Sequence, residues 1–172
     1  EFKVYNLDIK KKNKFFILDQ SFKKFCKEKK IDLILRFGLG IIKSNIKIPI
    51  LSFHHGDPRR YRGRPVGFYE ILFGENYVGQ IVQVLGSKLD AGKILAYGES
   101  KLVSFSYKKT LENVYSNSHI LLLKAIQNLK ENKFKKFNKQ GKIYFVPGNF
   151  VVINFILKLL IYLISNLRKK IF

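Results

Sequence analysis

Apolar residues fall along this chain in short runs separated by polar, glycine-rich or lysine-rich breaks, and the spacing inside the runs changes from one to the next. Residues 2–7 carry no clear polar face and read as a strand. The run Phe15-Phe16-Ile17-Leu18 is followed by Asp19, a residue suited to cap a helix. Over 20–30, Phe22, Phe25 and Cys26 stand at i, i+3 and i+4, which is helical spacing. Residues 31–37 predict a mostly buried strand closed by Gly38-Leu39-Gly40, and 48–53 a second, with Pro49 suited to its beginning. A loop rich in Gly, Pro and Arg occupies 54–65, and Pro65 suits the first turn of a helix over 66–73. Residues 77–85 are apolar and β-branched and predict another strand. The chain then turns over 86–92 and extends over 93–97. Apolar positions 111, 114, 115, 121, 122, 125, 126 and 129 predict one long amphipathic helix over 110–132. A lysine-rich connector and an extended piece over 142–147 follow.

Strand, loop, helix, strand and long helix in succession predict an α/β domain with a mostly parallel sheet and flanking helices. Its ligand site is expected beyond the carboxyl ends of the strands, where the loops after Phe37 and Phe53 fall. Three segments are expected: a catalytic domain over 1–132, a basic connector over 133–148 and an apolar C-terminal helix over 149–172. That helix contains Asn154 and Lys158 and ends in Arg168-Lys169-Lys170. Three readings stay open for it: packing on this domain or a partner domain, lying on a membrane surface, or spanning a membrane.

Composition adds bounds. With 172 residues, 47% hydrophobic and 15% aromatic, the chain can bury a core and is not a disordered segment. One cysteine excludes an internal disulfide framework and a Cys-rich zinc module, and suits a reducing, cytoplasmic setting. No signal peptide is visible over 1–14. The net charge of +21 fits an acidic partner, RNA or an anionic membrane, and fits equally a compositional bias carried on solvated faces. The sequence contains no methionine, which raises the expectation that it is a fragment or trimmed at its N-terminus.

Candidate chemistry gathers after the second buried strand. His54, His55 and Asp57 sit in a Gly/Pro loop at a strand end, and imidazole is the side chain that moves a proton near neutral pH. Asp90 follows in a second turn, and Arg59, Arg60, Arg62 and Arg64 could neutralise an acidic ligand. No metal is expected, because adjacent ring ligands point to opposite sides of an extended backbone. Taken alone, these residues describe an active site or a polar loop equally well.

Their order narrows the choice. Ser52-Phe53-His54-His55-Gly56-Asp57-Pro58-Arg59-Arg60-Tyr61-Arg62-Gly63, then Leu89-Asp90-Ala91-Gly92-Lys93-Ile94-Leu95, resembles the folate-dependent formyltransferase superfamily, including the N-terminal domain of methionyl-tRNA formyltransferases and the sugar N-formyltransferases. The family pattern is Asn-x-His, a loop ending in Arg-Gly or Lys-Gly, and a later Asp in a Leu/Val-Asp-x-Gly turn. The resemblance covers roughly 31–95 and implies a partial Rossmann-like fold. It carries the family histidine to His54, the aspartate to Asp90 and the loop end to Arg62-Gly63, with Arg59 beside it as a substrate contact. Phe37, Gly38 and Gly40 fall in a segment whose backbone lines the pterin pocket, and Leu85, Leu89 and Asp90 complete that pocket. The implied activity is formyl transfer from 10-formyltetrahydrofolate to a primary amine of methionyl-tRNA or an amino sugar nucleotide. Two departures stand out: Ser52 replaces the family asparagine, and less chain precedes the motif than a complete family domain has. A catalytically weak or inactive module, docked through its terminal helix to a membrane or partner enzyme, is the alternative.

Overall fold

The computed structural model of the chain describes residues 3–7, 9–13, 15–38, 41–44, 46–86 and 92–171. It divides into two compact units, one ending at Ser52 and one beginning at Phe53.

In the first unit, β1 (Lys10–Lys12) turns through Asn13, in the left-handed region at φ 57°, and pairs antiparallel with β2 (Phe15–Leu18). On its other side β2 pairs in parallel with β4 (Ile41–Ser44). The expected cap is present. The Asp19 carboxylate accepts from the N–H groups of Ser21 and Phe22 at 3.0 and 3.3 Å and opens α1 (Gln20–Glu28), which buries Cys26. Two further strands, β3 (Ile34–Arg36) and β5 (Ile50–His54), pair in parallel with Ile34, Leu35 and Arg36 opposite Ile50, Leu51 and Ser52. The strand expected over 2–7 is corrected: 3–7 carry no regular structure, and the first strand is the lysine triplet of β1, which borrows its order from the apolar β2 beside it.

The second unit holds β6 (Tyr61–Gly63), α2 (Phe68–Leu72), β7 (Tyr77–Val84), β8 (Lys93–Lys101), α3 (Tyr107–Ser116), α4 (Ser118–Lys130), β9 (Lys142–Tyr144) and α5 (Asn149–Ile171). β7 and β8 form a long antiparallel ladder with an irregularity at Val82/Gln83, while β6 and β9 pair in parallel. The expectation of mostly parallel pairing is met in part: β2–β4, β3–β5 and β6–β9 are parallel, while β1–β2 and β7–β8 are antiparallel. Only residues 85–92 separate β7 from β8, too little chain for the crossover that a parallel pair needs. Helices α3 and α4 cover β8, where Leu95 and Ala96 are fully buried. Gln80 and Gln83 on β7 are buried with partners: Gln80 donates to Ser100 Oγ at 2.5 Å, and Gln83 Oε1 accepts from Gly92 N–H at 2.8 Å.

Two helix expectations are revised. The single helix over 110–132 is two helices hinged at Asn117. Ser116 and Ser118 turn their hydroxyls back onto the carbonyls of Asn113 and Val114, and Asn117 Nδ2 donates to Ser100 Oγ at 2.9 Å. Short polar side chains of this kind compete with the helical ladder for backbone groups. Pro65 does not open α2. It follows a cis peptide, and the helix starts after Gly67, whose φ of 68° suits glycine.

Beneath α2 lies a core of Phe68, Ile71, Val78, Leu102, Val114 and Phe155, with Phe68 and Phe155 stacked at 4.1 Å. Phe155 belongs to α5, so this helix is anchored on the unit along one face.

Candidate functional site

Strand β5 carries the first two candidates. Ser52 is buried at the end of the first unit, where its Oγ accepts from Arg36 Nη1 at 3.1 Å. His54, the last residue of β5, is buried in the second unit, with Nε2 2.9 Å from the Tyr61 carbonyl. A carbonyl only accepts, so His54 Nε2 carries a proton in this arrangement. Gly56 makes the approach possible: a Cβ there would stand 2.8 Å from His54 Nε2 and 2.9 Å from the Tyr61 oxygen. Gly56→Ala is accordingly expected to part the two groups at a cost of about 1–3 kcal/mol, the range for stranding a buried hydrogen-bonding group. Thermal unfolding and the ¹⁵N shifts of the His54 ring read this directly.

His55 turns elsewhere. Its ring stacks on Phe53 at 5.6 Å, meets the edge of Tyr115 at 5.1 Å, and has Nε2 3.0 Å from Ser118 Oγ. Burial, aided by the neighbouring His54, lowers its pKa to about 4, so the ring is neutral at physiological pH.

The loop arginines are largely committed. Arg59 grips Asp57 through Nε at 2.8 Å and Nη2 at 2.6 Å, donates to the Tyr97 hydroxyl at 2.9 Å, and lies over the rings of Tyr97 and Phe137 at 5.0 and 4.8 Å. Arg60 pairs with Glu75, which also accepts from the Tyr61 hydroxyl at 2.7 Å. Arg62 is buried, with Nη1 3.3 Å from Gln140 Oε1, while Arg64 is exposed. At Gly63, φ is 89° and a Cβ would lie 2.1 Å from the Tyr144 oxygen, so the Arg-Gly end of the loop is held as a close β6–β9 pairing.

Of the pocket residues expected from the sequence, Phe37 is exposed, Gly38 has a φ of 64° with open space where a Cβ would stand, and Leu85 is half-buried. Gly40, Leu89 and Asp90 lie outside the described residues.

The structure adds a residue the sequence did not single out. A narrow cleft is lined by His54, Arg62, Tyr69, Glu70 and Tyr144 among others, and Glu70 is only 2% exposed. Burial raises its pKa to about 7; the charges of Glu75 and Asp57 push the same way, against its own backbone N–H and Arg60. Its sequence context, Phe68-Tyr69-Glu70-Ile71-Leu72, looks like an ordinary solvated helix position, which is why the pattern gave no signal. No group of three His, Cys, Asp or Glu side chains fit to hold a metal is present among the described residues.

Neither a protein-family model nor a curated protein sequence matches the chain. Solved structures do. A 4-N formyltransferase from Francisella tularensis superposes with a TM-score of 0.58 at 15% identity, covering 83% of this chain and 75% of that one. The methionyl-tRNA formyltransferase from Clostridium thermocellum gives 0.56 at 14% identity, covering 81% of this chain and 65% of that one. The chain has the formyltransferase fold. HypX from Aquifex aeolicus, in complex with tetrahydrofolic acid, gives 0.54 at 18% identity over 77% of this chain, which spans about a quarter of HypX's own length. Within the formyltransferase fold found here, the Ser52-x-His54 pair lies on β5 and the Arg62-Gly63 loop end on β6.

Proposed function

We propose that this protein transfers the formyl group of 10-formyltetrahydrofolate to a primary amine. The observation that carries the reading is His54, which stands where the family motif has its histidine, on a strand of a formyltransferase fold, with a protonated ring nitrogen beside a cleft. Attack of the uncharged amine nitrogen on the formyl carbon forms the new C–N bond and places negative charge on oxygen. His54 donates to that oxygen, exchanging the Tyr61 carbonyl for it. Asp90 orients His54 and, through water, takes the proton the amine loses. As the bond from the formyl carbon to folate N10 breaks, N10 takes that same proton back from Asp90 through water, leaving a formamide and tetrahydrofolate.

Two acceptor classes fit the reading. A nucleotide-linked amino sugar offers a phosphate to the exposed Arg64, whereas Arg59 and Arg60 are already paired to Asp57 and Glu75. Methionyl-tRNA suits the net charge of +21. Single free Cys26, buried, suits a cytoplasmic reaction.

Incubating the full chain with 10-formyltetrahydrofolate and each acceptor class tests this. Formylated amino sugar with stoichiometric tetrahydrofolate is the expected product. The other reading, an inactive formyltransferase-like module, draws on Ser52, which is both a departure from asparagine and engaged by Arg36. Absence of product, together with no thermal stabilisation by a 10-formyltetrahydrofolate analogue, would decide for that module.

A further inference from the structure

The 23 residues of α5 divide into three faces. Val151, Val152, Phe155, Leu159 and Tyr162 recur at helical spacing and pack on the α2 core. Asn154, Lys158, Ser165 and Lys169 form a narrow polar stripe beside them. The remaining face, where a helix resting on a soluble domain is ordinarily charged, is apolar and exposed: Phe150 at 86%, with Ile153, Leu157, Leu160, Ile161 and Ile164 behind it. Mean hydropathy reaches 2.1 over an 18-residue window within Asn149–Lys169, and the helix closes on exposed Arg168 and Lys169.

We propose that α5 lies in the surface of an anionic lipid bilayer, its outer apolar face among the acyl chains and its basic end against the headgroups. At about 1.5 Å per residue the helix is long enough to cross a membrane, but its docked face holds the first three turns against the α2 core, which fixes it parallel to the domain's surface. A second copy of the chain is a poor occupant, because each copy brings a net charge of +21 and would be repelled. The same charge draws the protein to anionic headgroups, with each basic residue near the surface strengthening binding about fivefold. This inference does not rest on formyl transfer.

The test is co-sedimentation of the full chain with phosphatidylcholine vesicles with and without phosphatidylglycerol. Binding is expected only with phosphatidylglycerol and should weaken as salt rises. The triple substitution Leu157→Glu, Leu160→Glu and Ile164→Glu should weaken it at least tenfold while leaving circular dichroism, thermal unfolding and transfer to a soluble acceptor unchanged. Arg168→Glu with Lys169→Glu should weaken it about as much at low salt and little at high salt. Failure of the unsubstituted chain to sediment, equal binding to both vesicle types, or a stable dimer that the triple variant converts to monomer would each overturn the proposal.

Discussion

Replacing His54 with alanine is expected to lower kcat/KM for formyl transfer by about 10²–10³, the loss that follows removal of one oxyanion donor. The ring is buried at the end of β5 with its Nε2 proton aimed at the Tyr61 carbonyl, an acceptor it can exchange for substrate oxygen when the cleft fills. The loss should fall on kcat as much as on kcat/KM, since the interaction strengthens only as charge develops on the formyl oxygen. Truncation also removes buried packing, so thermal unfolding and folate-analogue binding belong beside the rate: a variant that still binds the analogue but has lost turnover isolates the chemical step. On the roles proposed for Asp90, orienting the imidazole and relaying the amine proton, Asp90→Ala is expected to match it. Near-normal turnover in either variant would remove formyl transfer at this site from consideration.

Much of this was readable in the sequence where a single residue type has one strong local preference. Asp19 before a helical pattern is a cap, and it caps. Residues 77–85, apolar and β-branched for most of their length, read as a strand, and β7 is that strand. What stayed illegible depends on partners far along the chain. Four arginines in one loop look like an anion site until Asp57 and Glu75 are found holding two of them, and the Glu75 contact needs the fold to bring α2's end back to the loop. The break at Asn117 was hidden because apolar periodicity continues through it; only the hydroxyl groups on either side, and Ser100 across the unit, reveal why the helix is interrupted there. Ser52 was flagged as a departure, and the structure adds that its hydroxyl is engaged by Arg36.

Glu70 supplies the second large effect, and its sign can be worked out. Its carboxyl, ordinarily near 4.5, is pushed by burial to about 7 in the folded protein. Below pH 4.5 the folded and unfolded chains both hold the proton, and the full stability is present. Between pH 4.5 and about 7 the unfolded chain releases the proton while the folded one keeps it, so stability falls. Above that window the folded chain must carry a buried carboxylate, a loss of about 3 kcal/mol at most. Glu70→Gln keeps the size and the hydrogen-bonding edge without the titration. The variant should match the parent in thermal unfolding near pH 4.5 and exceed it progressively through pH 7, with a plateau beyond. Parallel stability curves for the two proteins across that window would mean that Glu70 reaches water or a cation in the cleft it shares with His54. A growing gap would establish that this cleft is dry enough to hold a neutral acid beside the imidazole, the setting in which a hydrogen bond to a developing oxyanion is strongest.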